Sequence, residues 1–232
     1  MVLFGFDVIS DINLNPSDDF DWTGKPTSLF CLIPGNISTD LGTISRVLKH
    51  LSNLYQGVFF IDGALENSDI QTRDSRVTEL QQICSVLRNV IYLHNNVVVI
   101  DGVALVAING WYKNYQNNTI IDDFHAKCLR YEDISYLEKT LEKLQLHVDV
   151  KKIIIMSNCV PFRELYYGEC DINDEDIYPG YVLYKDTEHK VVKWVYGTYD
   201  KLVDTTINNV NYINNTKFDR EPYYAKRIEV TL

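Results

Sequence analysis

Apolar positions recur along this chain in two rhythms. Short apolar runs, rich in β-branched and aromatic residues, sit at Val2–Ile9, Ser28–Ile33, Val58–Ile61 and Lys152–Met156. Each is too short for a helix and too continuous for a half-exposed strand, so each predicts a buried strand. Between them the period lengthens. Leu41, Ile44, Val47, Leu48, Leu51 and Leu54 form one stripe at helical spacing, with Ser38 or Thr39 as the expected cap. Val77, Leu80, Ile83, Cys84 and Leu87 mark a second helix, and Ile134, Leu137, Leu141 and Leu144 a third, with Asp133 as its expected cap. Short strands follow at Val90–Leu93, Val97–Ile100 and Val103–Ile108, the last two joined by an Asp101-Gly102 hairpin turn. Further strands are expected at Val191–Tyr196 and in the tail from Leu202. Asn13–Pro26 is polar and reads as a loop, and residues 162–185 are acidic and Tyr-rich, the pattern of a surface insertion. A βαβα first half followed by a β-rich second half predicts two packed sheets covered by helices.

Composition narrows the class. At 232 residues, 46% hydrophobic and 12% aromatic, the chain supports a substantial core and is expected to be one domain over 1–232. No apolar run reaches 18 residues, and the start lacks a basic region and cleavage site, so neither a membrane span nor a classical secretion signal is expected. The expected location is cytoplasmic or virion-associated, the latter because paired asparagines at 95–96, 117–118, 208–209 and 214–215 suggest an AT-rich genome of viral or bacterial type. A net charge of −10 disfavours a nucleic-acid or anionic-membrane partner, since both need positive charge against phosphate. Five cysteines without a CxxC pair suit buried thiols in a reducing compartment, and the five histidines show neither HxH nor HExxH.

Ligands of α/β sheets gather beyond the carboxyl ends of strands, so the residues after each strand matter most. They are Ser10-Asp11-Ile12-Asn13, Pro34-Gly35-Asn36, Asp62-Gly63-Ala64-Leu65-Glu66, Ser157-Asn158-Cys159-Val160-Pro161 and Gly197-Thr198-Tyr199-Asp200. In order and spacing these junctions resemble those of the calcineurin-like metallophosphoesterases, which carry D-x-H, G-D, G-N-H-E, (T/S)-H and G-H-x-H after successive strands. Asn89–Trp111 and Trp194–Gly197 resemble the family's hairpin and its last strand. The resemblance covers nearly the whole chain and implies an α/β fold, a four-layer αββα sandwich of two mixed sheets flanked by helices.

The same resemblance implies which residues would hold two metals, and this chain departs at most of them. The first metal would fall to Asp11, Asn13, Asn36 and Asp200, the second to Asn36, Ala64, Asn158 and Thr198, and the catalytic histidine's position to Leu65. A two-metal site polarises phosphoryl oxygens and holds a hydroxide between its ions. A neutral amide is a weak bridge between dications, Ala64 offers no ligand atom, and Leu65 cannot give a proton to a leaving group. No catalytic residue and no cofactor are therefore expected. The alternative is one divalent cation (Mg, Mn or Ca) on the oxygen set of Asp11, Asn13, Asn36 and Asp200.

Other features have plainer readings. Asp62 reads as a turn residue before Gly63, Glu66 as an exposed acid, and Cys159 as a buried thiol. The tyrosines 166, 167, 178, 181 and 184, interleaved with Glu169, Asp171, Asp174, Glu175 and Asp176, suit either a protein–protein surface or a solvated loop. The expected function is a catalytically inactive phosphoesterase-like scaffold that binds a protein partner, by analogy with such subunits of the retromer coat and of replicative polymerases, and in a viral structural or host-interaction setting. The alternatives are a phosphoesterase or nuclease with an atypical single-metal site, and a small-molecule binder that uses the cleft without chemistry.

Overall fold

The computed structural model describes residues 3–20, 25–67, 73–110, 123–165, 178–198, 200–217 and 223–232. The apolar runs become strands β1 (Leu3–Val8), β2 (Phe30–Pro34), β3 (Gly57–Ile61), β4 (Val90–Tyr92), β5 (Asn96–Ile100), β6 (Val103–Ile108), β7 (Lys152–Ser157) and β8 (Val191–Tyr196). The tail supplies β9 (Val203–Ile207), β10 (Val210–Asn214) and β11 (Lys226–Thr231), and the helices are α1 (Leu41–Ser52), α2 (Arg73–Ser85) and α3 (Asp123–Leu146).

Two mixed sheets result. One runs β11-β1-β2-β3-β4, parallel except for β11, and the other runs β5-β6-β7-β8-β10-β9, with β5 and β9 antiparallel to their neighbours. The sheets face each other through Phe6, Val8, Leu32, Phe59 and Ile61 on one side and Leu105, Ala107, Ile154, Met156 and Val195 on the other. Because side chains alternate along a strand, the opposite faces of the same strands meet helices. Ile33, Val58 and Phe60 pack under Ile44, Val47, Leu48 and Leu51 of α1 and Leu80 and Cys84 of α2. Val106, Ile108, Ile153 and Ile155 pack under Ile134, Leu137 and Leu141 of α3. Each such side chain, taken fully out of water, stabilises the fold by about 1.5–3 kcal/mol before entropy is charged against it.

Strand ends shift by a residue or so from the expectation, and three differences have a visible cause. Asp40, not Ser38 or Thr39, caps α1: its carboxylate accepts from Thr43 N at 2.7 Å, while Ser38 Oγ donates to Leu14 O at 2.7 Å. Helix α3 starts at Asp123, ten residues before the expected cap, and Asp133 lies inside it, turned inward. Strand β2 opens at Phe30 because the Ser28 hydroxyl donates to Asp7 Oδ1 at 2.8 Å. The hairpin turn is as expected, with φ of 46° at Asp101 and 88° at Gly102, the left-handed pair that a two-residue turn requires. Of the expected insertion, 166–177 lie outside the described residues, including Tyr166, Tyr167 and the five interleaved acids. Its end is docked, not loose: Pro179–Lys185 form a 3₁₀ helix with Pro179, Gly180 and Val182 buried, held to α3 by Tyr184 OH donating to Glu138 at 2.8 Å. Among the described residues no helix is long and apolar enough to cross a membrane.

Candidate functional site

The parallel strands β1, β2, β3, β7 and β8 all end on one rim of the sandwich, so the five junctions converge there. Asp11, Asn36 and Thr198 each adopt positive φ (51°, 61° and 54°), which turns the chain sharply as it leaves a strand. Asn and Asp reach this region at modest cost, whereas a β-branched Thr does so only when its surroundings hold it there. Thr198 is held at both ends: its N–H donates to Asp11 Oδ1 at 2.8 Å and its hydroxyl to Asn158 Oδ1 at 2.6 Å.

The two amides fasten the rest. Asn36 Nδ2 donates to Asp11 Oδ1 at 2.7 Å and to Thr198 Oγ1 at 3.1 Å, and its Oδ1 accepts from Leu65 N at 3.0 Å. Asn158 Oδ1 also accepts from Ala64 N at 3.1 Å, and its Nδ2 donates to Pro34 O at 3.0 Å. The orientation of the Asn36 amide is dictated by its neighbours. Reversed, its oxygen would face a carboxylate and its NH₂ would face the Leu65 N–H. Gly63 closes the space between the amides, since a Cβ there would lie 2.5 Å from Asn36 Oδ1 and 2.6 Å from Asn158 Nδ2.

Six of the eight predicted positions therefore meet: Asp11, Asn36, Ala64, Leu65, Asn158 and Thr198. Ala64 and Leu65 take part only through their main-chain N–H groups. Asn13 and Asp200 do not join. Both are exposed, and Asn13 contributes a main-chain bond, its N–H donating to Asn36 O at 3.0 Å. Among the described residues no group of three or more His, Cys, Asp or Glu is placed to hold a metal ion.

Below the rim lie two carboxylates that the sequence reading misjudged. Glu66 is not an exposed acid. It is 1% exposed and accepts four main-chain N–H bonds, from Gly63 (2.7 Å) and Asn36 (3.0 Å) on Oε2 and from Ile37 (2.6 Å) and Ser38 (3.2 Å) on Oε1. Burial pushes its carboxyl up from the ordinary value, against the opposing pull of those amides. The available signal was that Gly63 and Glu66 are the two letters of the third motif that this chain keeps. Asp62 is more than a turn residue. It accepts from Asn67 Nδ2 at 2.5 Å and Tyr92 OH at 2.8 Å, and lies 3.6 Å from His94 Nδ1. Burial raises its carboxyl, but His94 with the Asn67 and Tyr92 bonds outweighs this and holds it below the ordinary range. Arg73 reaches His94 Nε2 at 3.3 Å, tying the start of α2 to the end of β4. Asp133 accepts from Gly110 N at 2.6 Å and Asn95 Nδ2 at 2.8 Å. Cys159 is buried, as expected.

The fold is that of the calcineurin-like metallophosphoesterases. The phosphopantetheinyl hydrolase PptH of Mycobacterium tuberculosis is similar with a TM-score of 0.62 and 14% identity, over 96% of this chain and 95% of that one. A putative 5′-nucleotidase of Staphylococcus aureus is similar with a TM-score of 0.59 and 11% identity over 99% of this chain, which spans 51% of that one. GAP50, the anchor in the inner membrane complex of Plasmodium, gives 0.56 and 12% over 94% of this chain and 72% of its own. No protein-family model matches the sequence, and no curated protein matches it.

Proposed function

We propose that this chain is a phosphoesterase-like scaffold whose cleft has exchanged a metal centre for a closed hydrogen-bond clasp, and whose role is to bind a protein partner. The observation that carries the reading is the Asn36 amide, whose nitrogen faces Asp11. A cation bridged by Asp11 and Asn36 needs the amide oxygen there, and turning it breaks three hydrogen bonds and sets the NH₂ against the Leu65 N–H. At about 1 kcal/mol per bond and 1–3 kcal/mol for a donor left unpaired, the turn costs several kcal/mol before any ion is bound. The donor set does not fit a binuclear centre either. Among the described residues Asp11 is the only carboxylate within the clasp, and Glu66 engages both oxygens with main-chain N–H groups. The single-cation alternative on Asp11, Asn13, Asn36 and Asp200 is disfavoured because two of its four side chains are exposed and outside the clasp. That GAP50, with the same fold, is an anchor supports a non-catalytic role by analogy.

The test is elemental analysis of the purified chain, followed by Mn²⁺ titration with an aryl phosphodiester as substrate. The reading expects no stoichiometric metal, no thermal shift with Mn²⁺ and no turnover. Turnover that Asp11→Ala abolishes would overturn it and establish a rearranged single-metal hydrolase.

A further inference from the structure

Among the described residues the sandwich has four sheet edges, and they are not protected alike. On one lateral side lie β11 and β9. Here Lys226 of β11 pairs with Asp204 of β9 at 2.6 Å, and Arg227 with Glu229 at 2.9 Å. Charged side chains on edge strands are the usual guard against pairing with a further strand. On the other side lie β4 (Val90-Ile91-Tyr92) and β5 (Asn96-Val97-Val98-Val99-Ile100), which contain no charged residue, no proline and no register shift. Val99 is 47% exposed and Ile91 38%. Ile91 pairs with Phe59, a residue of the layer between the sheets, so the unguarded side is also where that layer opens.

The register of β5 states which main-chain groups are available. In a two-residue hairpin the flanking residues, Ile100 and Val103, exchange both bonds, and the pattern then alternates. Ile100, Val98 and Asn96 therefore bond to β6, and Val97 and Val99 aim their N–H and C=O groups away from the sheet. One contact supports this assignment independently: Val97 N donates to Asn96 Oδ1 at 2.8 Å, an N–H satisfied by its own neighbour's side chain instead of a strand.

We infer that β5 pairs antiparallel with β5 of a second copy of this chain, with the two-fold axis at Val98, joining the two six-stranded sheets into one. Val97 then lies opposite Val99 of the second copy and Val99 opposite its Val97. Those are the residues with outward groups, so all four bonds close in a single register as Asn96 Oδ1 gives up the Val97 N–H. The same register sets Asn96 against Ile100 and Asn95 against Asp101, so no like charges face each other despite a net charge of −10 per chain. A strand of five residues with its flanking Ile91 covers less surface than a tight dimer needs, which places the dissociation constant between about 10 μM and 1 mM. The inference is independent of whether the cleft binds metal.

Sedimentation velocity over that concentration range, with amide hydrogen exchange at both ends of it, tests the pairing. The mass should rise from 26.9 kDa towards twice that value. Exchange at Val97 and Val99 should slow with concentration while Val98 and Ile100 stay constant. Val99→Lys should weaken association at least about tenfold. Val86→Lys, at an exposed site after α2, should leave it unchanged, and matching circular dichroism would show both variants folded. A monomer at every concentration, association indifferent to Val99→Lys, or protection without change at Val97 and Val99 would each overturn the inference.

Discussion

Asn36→Asp would place a second carboxylate beside Asp11, and the structure says what that costs. The new oxygen would stand where Nδ2 now lies, 2.7 Å from Asp11 Oδ1, at a site only 5% exposed. With the two charge centres about 4 Å apart and an effective dielectric near 20, repulsion amounts to about 4 kcal/mol. The alternative is that one carboxyl takes up a proton at neutral pH. With an ordinary pKa near 3.9 this costs about 1.4 kcal/mol for each of the roughly three pH units to pH 7, again about 4 kcal/mol. The two routes agree, so the variant should lose about 4 kcal/mol of stability relative to the parent at pH 7. At pH 5 the protonation route costs only about 1.5 kcal/mol, so the deficit should shrink to that value. Urea unfolding of both proteins at the two pH values reads the difference directly, because a stability change moves the midpoint without changing the slope. A deficit under about 1 kcal/mol at pH 7, or one that does not shrink at pH 5, would refute the hydrogen-bonded contact between Asn36 and Asp11. Repeating the measurement with Mn²⁺ adds a second arm: recovery of the lost stability by the ion would show that the cleft gathers a metal once it holds a second carboxylate.

Two further outcomes follow from the buried carboxylates. Glu66→Gln replaces one accepting oxygen by NH₂ and leaves two of the four main-chain N–H groups without an acceptor, so the unfolding midpoint should fall by the equivalent of about 2–5 kcal/mol. Asp133 is pushed up to about 6, first by burial, with the Gly110 and Asn95 bonds and the His94 and Arg73 charges opposing. Its folded value lies above the unfolded one, so its contribution is fully present below the unfolded pKa of 3.8 and is lost as pH rises to about 6. The size is about 3 kcal/mol, and Asp133→Asn should remove that drift; a parent-minus-variant difference constant from pH 4 to 6.5 would count against it.

Much of this layout is written in the local pattern of the chain. Apolar runs of strand length, Pro34-Gly35, Asp62-Gly63 and Asp101-Gly102 mark where strands stop, and the rim residues follow from that without any tertiary knowledge. What the pattern does not show is which polar groups meet. Glu66 looks like any acid near a turn because its partners come from two loops, Asn36–Ser38 and Gly63, that are adjacent only after β2 and β3 pair. Asp133 has the residue type of a cap, yet the helix runs through it, since an inward carboxylate that accepts from Gly110 and Asn95 has no need to end a helix. Asp200 and Asn13 were placed with the ligands by motif spacing alone, and spacing carries no information about which way a loop side chain faces.

The clasp also has a mechanical meaning. Pro34 ends β2, and Asp11, Asn36, Ala64 and Leu65 belong to loops of the five-stranded sheet, as Asn158 and Thr198 do to loops of the six-stranded one. Every bond from Thr198 or Asn158 to the other group is thus a stitch across the seam between two layers whose shared interior is apolar. Opening either layer at that rim breaks bonds held by the other, which couples the two in unfolding.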